Sequence, residues 1–213
     1  MFILKLIPSR TLSLQARRPS GIIGRYLMTK IFNRGNADLN DFVKELLELQ
    51  EVDNVLEIGF GPGRLIDSMA QLISNGHIDG VDFSDAMLQQ ARSANKKHIL
   101  KGIVNLYLTD CNNLPFQDES YNKICSTNTI YFWSDPIIYF REMYRVAKPN
   151  CKIVIGFRDK QQMSNLNLEE DIFNSFTVND VLSLLLDVGF VHAYIKEKEG
   201  IPFVSKCAIA IKA

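Results

Sequence analysis

The stretch that most constrains this chain is Val55-Leu-Glu-Ile-Gly59-Phe-Gly61-Pro-Gly63-Arg64. An apolar run of strand length enters a Gly-x-Gly-x-Gly turn, and a helical pattern follows. Glycine lets the backbone take positive φ and approach a ligand closely, and the helix start offers unpaired N–H groups. A strand that feeds a helix in this way points to parallel β/α units. The turn differs from a dinucleotide-binding turn, which reads Gly-x-Gly-x-x-Gly and uses its third glycine for close packing. Here Arg64 stands at that third place and Gly63 falls one residue early. Glu57 also puts a negative charge where a pyrophosphate would be repelled. A cationic ligand suits the turn better than a diphosphate.

The rest of the chain repeats the alternation of short apolar runs and amphipathic helices. Asn40 is placed to cap a helix from Asp41 to about Gln50. Strands are expected at Asn54–Ile58, His77–Asp82, 103–108, 121–126, Cys151–Phe157, and near 190–197 and 204–212. Helices are expected from Gly63 to about Ser74, closed by Asn75-Gly76, from Ser84 or Asp85 through Ala94, from Asp135 to Ala147, and from Thr177 to Asp187. Residues 158–175 read as polar and irregular. The reading is one doubly wound α/β domain over residues 38–213, preceded by a basic arm or lid over residues 1–37.

Charge separates these two parts. The 213 residues have a formal net charge of zero. Yet residues 1–37 hold seven bases (Lys5, Arg10, Arg17, Arg18, Arg25, Lys30, Arg34) and no acid, which leaves residues 38–213 with seven more acids than bases. Such an arm can serve as an organelle-targeting segment, contact an anionic surface, or dock on the acidic body. Of these, docking as a lid over residues 17–36 is preferred, with Tyr26, Met28, Phe32 and Asn36 as its apolar and amide groups. No apolar run reaches the roughly 20 residues of a membrane span, so only peripheral membrane contact stays open. The expected location is cytoplasmic, with organelle targeting through the basic arm as the alternative. An acidic body is a poor nucleic-acid partner, because phosphate contacts want a basic face. The cysteines Cys111, Cys125, Cys151 and Cys207 form no CxxC pair or metal-ligand spacing, and read as buried thiols. No metal site is expected. Histidines 77, 98 and 192 read as lying away from the site, with His98 in a Lys-rich surface stretch.

Ligands of open parallel sheets bind beyond the carboxyl ends of the strands. Glu57, Asp82, Asp110 and Asn128 fall at four such ends in succession. A carboxylate at Asp82 can accept from both hydroxyls of a ribose, and Asp110, beside Cys111, can accept from an exocyclic amine.

These segments together resemble the class I S-adenosylmethionine-dependent methyltransferases, in particular the small-molecule branch of ubiquinone and menaquinone biosynthesis. The matching stretches are 55–63, Gly80-Val-Asp-Phe-Ser-Asp-Ala-Met-Leu88, Asp110-Cys-Asn-Asn-Leu-Pro-Phe116, 121–133 and Glu142-Met-Tyr-Arg-Val-Ala-Lys-Pro149. The resemblance implies a seven-stranded Rossmann-like sheet in the order 3-2-1-4-5-7-6 with the last strand antiparallel. It implies that Glu57 with Gly59, Gly61 and Gly63 holds the methionine end of S-adenosylmethionine, and that Asp82 takes the ribose. Phe83 and Met87 would cover the adenine, Asp110 and Cys111 would read its edge, and Asn128 would lie near the methionine moiety. Asn150-Cys151 departs from the Gly-Gly pair that commonly follows the proline.

The reaction implied is methyl transfer to a small-molecule acceptor, an apolar one such as a quinone precursor or lipid headgroup among the options, with S-adenosylhomocysteine as product. The sulfonium is already a strong electrophile, so positioning is the main demand and no catalytic residue is obligatory. Tyr131 and Trp133 either face the acceptor or pack under the neighbouring helix. A catalytically silent cofactor-binding scaffold is the alternative function. A nicotinamide-dependent oxidoreductase is disfavoured by Glu57 and Arg64, and nucleic-acid methylation by Asn128-Thr-Ile-Tyr131 in place of Asn/Asp-Pro-Pro-Tyr. The acceptor and the oligomeric state stay open.

Overall fold

A computed structural model describes residues 9–19, 35–164, 169, 171–200 and 203–213. Its strands are β1 (Asn54–Ile58), β2 (His77–Asp82), β3 (Val104–Leu108), β4 (Tyr121–Thr127), β5 (Ala147–Phe157), β6 (Phe190–Lys198) and β7 (Ser205–Lys212). They form one sheet in the order β3-β2-β1-β4-β5-β7-β6, as expected. β1 through β5 pair in parallel, and β7 runs antiparallel to both β5 and β6. The helices are α1 (Ser9–Arg17), α2 (Ala37–Leu47), α3 (Arg64–Met69), α4 (Asp85–Ala94), α5 (Lys96–Leu100), α6 (Pro136–Val146), α7 (Lys160–Ser164) and α8 (Val178–Asp187).

The sheet is buried on both faces, which is why its central strands read as near-continuous apolar runs. Leu56 and Ile58 of β1 pack with Ile124, Ile153, Phe140 and Leu185 on one side. Val55 packs with Val43, Leu47, Ile66 and Ile78 on the other. Strand alternation puts Glu57 on the face of Val55, where an apolar side chain would otherwise sit. The chain builds outward from β1 to β3 in one direction and from β4 to β5 in the other. The reversal between β1 and β4 opens a crevice at their carboxyl ends.

Several expectations shift in detail. The helix before β1 begins at Ala37, not Asp41, and ends at Leu47 with Glu48 left-handed. Asn40 therefore lies inside that helix, and Asn36 takes the N-cap position without a side-chain cap bond. The helix after the glycines stops at Met69, well short of Ser74. Asp135 caps α6 with its side chain, and Thr177 with Asp180 forms a capping box on α8, as their residue types favour. β5 starts at Ala147 and runs through Pro149, with Asn150 at φ 63°, so the Asn150-Cys151 departure is absorbed by one left-handed residue. His98 is not on the surface: it is buried, with Nε2 3.2 Å from Asp67 Oδ1. Residues 158–175 include the short helix α7. Among the described residues no helix is long and apolar enough to cross a membrane.

Of the N-terminal arm, α1 lies against the body. Arg10 pairs with Asp171 at 2.8 Å, and the Glu169 N–H donates to Ser13 Oγ at 3.4 Å. Residues 20–34, with Tyr26, Met28 and Phe32, lie outside the described residues.

Candidate active site

The crevice at the β1–β4 switch point is a cleft lined by Glu57, Gly59, Gly61, Asp82, Phe83, Met87, Asp110, Cys111, Asn128 and Trp133 among the residues expected from the sequence. Gly63 and Tyr131 are not part of its lining.

The turn after β1 carries three glycines at positive φ, of 73°, 52° and 80° for Gly59, Gly61 and Gly63. At Gly59 a Cβ would collide with the Thr129 side chain, whereas at Gly61 it would meet open space. Gly61 thus leaves its bare backbone to the cleft, and Gly59 lets the turn pass under the loop after β4. Gly63 serves packing instead. Its absent Cβ would stand 2.9 Å from Ala91 Cα and 2.5 Å from Asn95 Nδ2, so it lets the start of α3 approach α4. Asn95 then donates to Gly63 O at 3.0 Å and to Ala91 O at 2.9 Å. The close-packing glycine of a dinucleotide turn has its counterpart here one residue early.

Asp82 ties this turn to β2. Its Oδ2 accepts from the Gly61 N–H at 2.9 Å and its Oδ1 from the Ser84 N–H at 2.8 Å. Each carboxylate oxygen keeps a further lone pair for hydroxyl donors. Burial pushes its pKa up to about 6, against the two N–H bonds that hold it down. Glu57 is 2% exposed, and its Oε2 has no hydrogen-bond partner. Burial first, and the neighbouring Asp82 second, raise its pKa to about 8. A buried, unpartnered carboxyl is costly unless a ligand supplies a donor or a positive charge.

The third strand's end is held from a distance. Arg145 donates to Leu114 O at 3.1 Å, to Phe116 O at 2.8 Å and to Glu142 and Asp118, while Glu142 accepts from the Leu114 N–H at 2.8 Å. This fork pins the loop that follows Asp110 and Cys111, giving a physical role to the Glu142-Met-Tyr-Arg145 stretch. Burial raises the Cys111 thiol far above its ordinary range, so it stays protonated and serves through shape and backbone. Trp133 stacks on Tyr139 at 5.0 Å and 6°. Burial raises the Tyr139 hydroxyl, with Asp110 and Ser134 beside it. The Trp133–Tyr139 pair therefore borders the Asp110 end of the cleft.

Tyr131 is buried, and its hydroxyl is committed. It donates to Asn128 Oδ1 at 3.0 Å and approaches Arg158 O at 3.2 Å, while the Arg158 N–H donates to it. Tyr131 is thus packed and bonded outside the cleft lining, and it meets the cleft through Asn128. Asn128, at φ 55°, donates in turn to Asn36 Oδ1 at 2.9 Å. Arg17, Pro19 and Asn36, which fall in the arm expected as a lid, line the cleft; sequence reading missed Asn40, Thr127, Phe132 and Ala16. Thr127 Oγ1 is buried without a partner, like Glu57 Oε2. Asn36 and Asn40 stand one turn apart, and that spacing was legible only with the helix start at Ala37. Among the described residues no cluster of His, Cys, Asp or Glu could hold a metal ion.

Comparison with known proteins gives this cleft its chemistry. Residues 56–155 match the family model "Methyltransferase domain". The uncharacterized methyltransferase YdaC of Bacillus subtilis (strain 168) is 29% identical over 177 residues, which are 83% of this chain and 93% of YdaC. The methyltransferase-family protein YrhH of the same organism is 33% identical over 131 residues, 60% of this chain and 71% of YrhH. A solved S-adenosylmethionine-dependent methyltransferase from Aquifex aeolicus superposes with a TM-score of 0.68 at 21% identity, over 89% of this chain and 98% of that one. The chain belongs to the class I S-adenosylmethionine-dependent methyltransferases. It is an enzyme of that family, with S-adenosylmethionine as its cofactor. The cleft fits this group on its own terms: the orphaned Glu57 carboxyl wants a cation, and the backbone at Gly61 faces open space.

Proposed function

We propose that the chain transfers the methyl group of S-adenosylmethionine to a small-molecule acceptor by in-line displacement. When bound, the cofactor supplies a methyl carbon made electrophilic by the adjacent sulfonium. The protein's part is to hold, orient and keep dry. Glu57 takes the ammonium of the methionine end, Asp82 accepts from the ribose hydroxyls with its remaining lone pairs, and Gly59 and Gly61 give backbone access. Phe83 and Met87 cover the adenine, Asp110 and the Cys111 N–H read its edge, and Asn128, oriented by Tyr131, borders the methionine end. Gly63 supports this set through packing alone.

The observation that carries a small acceptor is the roof over the strand ends. Ala16, Arg17 and Pro19 stand in the same cleft as Gly61 and Asn128, so the space beyond the strands is walled on both sides. A polymer would need an open face there, and a nucleic acid a basic one. Residues 1–37 act in this reading as an arm closing over the domain of residues 38–213. Two experiments test it. Incubation with labelled cofactor and a small-molecule metabolite fraction should release S-adenosylhomocysteine; release only with a macromolecular fraction would reverse the acceptor class. Limited proteolysis should show bound cofactor slowing cleavage after Arg17 and Arg18, and equal rates would sink the lid.

A further inference from the structure

The two flanks of the cleft differ in charge. Its carboxylates, Glu57, Asp82 and Asp110, all come from the β3-β2-β1 side of the sheet. The other flank, built from α1, α2 and the end of β4, lines the cleft with Arg17, Asn36, Asn40, Thr127, Asn128 and Phe132. Among the described lining residues of that flank there is no carboxylate, imidazole or thiol. The sequence extends the statement, because residues 1–37 contain no Asp, Glu, His or Cys at all. Outside the described residues the one carboxylate is Glu170.

On this side an acceptor finds positive charge, amide donors and apolar surface and, among the described residues of this flank, nothing placed to take a proton from it. Phe132 supplies the apolar wall, backed by Phe173 at 5.0 Å between ring centroids. Asn36 accepts from Asn128 through Oδ1, which leaves its Nδ2 without a partner among the described residues. The Tyr131 hydroxyl, a step away, is already bonded and raised by burial, so it supplies no phenolate.

We infer that the acceptor is a weak organic acid with an apolar body that arrives already ionised, its attacking atom bearing the negative charge that Arg17 and the amides of Asn36 and Asn40 receive. This rests on the small-molecule methyltransferase reading and deepens it. The step balances without a base: a lone pair of the anionic oxygen or sulfur forms the bond to the methyl carbon, the C–S bonding pair returns to sulfur, and no proton moves. An anion and a sulfonium become two neutral products, which a low-dielectric cleft favours. An alkyl ammonium has no lone pair to give, and would first need a base that this flank does not provide.

The test uses the full chain saturated with S-adenosylhomocysteine at pH 7.5, with 4-phenylbutyrate, 4-phenylbutylamine and 4-phenylbutanol as probes of one skeleton and three charges. Binding is read by thermal shift and calorimetry. The butyrate should bind at least tenfold tighter than the amine or the alcohol. Arg17→Glu should weaken the butyrate tenfold or more, and by a far larger factor than it weakens S-adenosylhomocysteine, a split that a merely structural role of Arg17 would not produce. With S-adenosylmethionine in place of the product, mass spectrometry of reactions with 4-phenylbutyrate or thiophenolate separates a methyl ester from a methyl thioether, and so a carboxylate source from a thiolate one. Equal or tighter binding of the amine or alcohol, binding of none of the three, or indifference of the butyrate to Arg17→Glu would overturn the inference. Absence of any shift with S-adenosylhomocysteine itself would instead defeat the underlying reading before a probe is added.

Discussion

Replacing Glu57 with Gln removes a buried charge and keeps its shape, so it separates what the carboxyl costs the fold from what it does for the cofactor. The Glu57 carboxyl titrates at about 8, against an ordinary 4.5, because it is buried and lies near Asp82. Between those two pH values the folded chain retains a proton that the unfolded chain has released. Stability is therefore complete, as far as this group goes, below 4.5 and falls as pH rises through about 8. The slope in that window is about 1.4 kcal/mol per pH unit. Relative to the glutamine variant, the wild type should lose roughly 1 kcal/mol at pH 5.5 and roughly 4 kcal/mol at pH 7.5. The glutamine amide brings unmet hydrogen bonds worth about 1–3 kcal/mol, but that cost does not depend on pH. The diagnostic quantity is therefore the widening of the gap, roughly 2–3 kcal/mol between pH 5.5 and 7.5. Asp82, raised to about 6, adds a slope of the same sign at lower pH in both proteins. Urea unfolding of the cofactor-free proteins at pH 5.5, 6.5 and 7.5 measures the gap. A gap that stays constant with pH, or a wild type that gains on the variant at pH 7.5, would refute the claim that this carboxyl is held desolvated and unpaired. The same variant should bind S-adenosylmethionine about 10- to 100-fold more weakly, since a charge-assisted bond is worth roughly 1.5–3 kcal/mol.

Other perturbations reach the remaining parts of the site. Asp82→Asn replaces an acceptor of two backbone N–H bonds with an amide that can satisfy only one side, and should weaken cofactor binding at least about tenfold by calorimetry. Gly63→Ala forces a Cβ against Ala91 and Asn95 at positive φ, and should cost about 2–4 kcal/mol in urea unfolding, with cofactor affinity reduced only indirectly. Tyr131→Phe breaks the bonds to Asn128 and Arg158 and should cost about 1–3 kcal/mol; if stability were unchanged, the buried hydroxyl would not be satisfied as described. Arg145→Lys keeps the charge but loses the fork that pins 114–118, and should raise the cofactor KM more than it lowers kcat.

Much of the fold was legible because each strand's burial on both faces writes itself as an apolar run, and each crossover as a helix with a cap. Asp135, Thr177 and the glycine turn all stand where their residue types demand. The boundaries that moved did so for tertiary reasons. Asn36 accepts from the Asn128 amide through Oδ1 instead of capping α2, and the helix starts at Ala37 nonetheless. His98 looked exposed among lysines, but it tucks beside Asp67 between short helices. Within the site, the four strand-end positions could be read because the topology sends every carboxyl end to one crevice. Gly63 could not be told from Gly59 and Gly61, since spacing does not reveal that Ala91 and Asn95 pack against it. Arg17 and Asn36 belong to the arm expected as a lid, but Asn40 reaches the cleft only through the docking of α2, for which no local pattern exists. Trp133 belongs to the Asp110 end because it stacks on Tyr139, a contact that only packing discloses.

The central claim is that this cleft holds S-adenosylmethionine, and ligand-dependent unfolding tests it most directly. S-adenosylmethionine, S-adenosylhomocysteine and NAD, each at about 100 times a micromolar dissociation constant, are added to the wild-type chain and to Glu57→Gln. A bound ligand at that ratio adds about 2.7 kcal/mol, which for a domain of this size raises Tm by roughly 5–10 °C. The account predicts such a shift with both sulfur nucleosides, none with NAD, and a strongly reduced shift with Glu57→Gln. A shift with NAD alone, or equal shifts in wild type and Glu57→Gln, would contradict it.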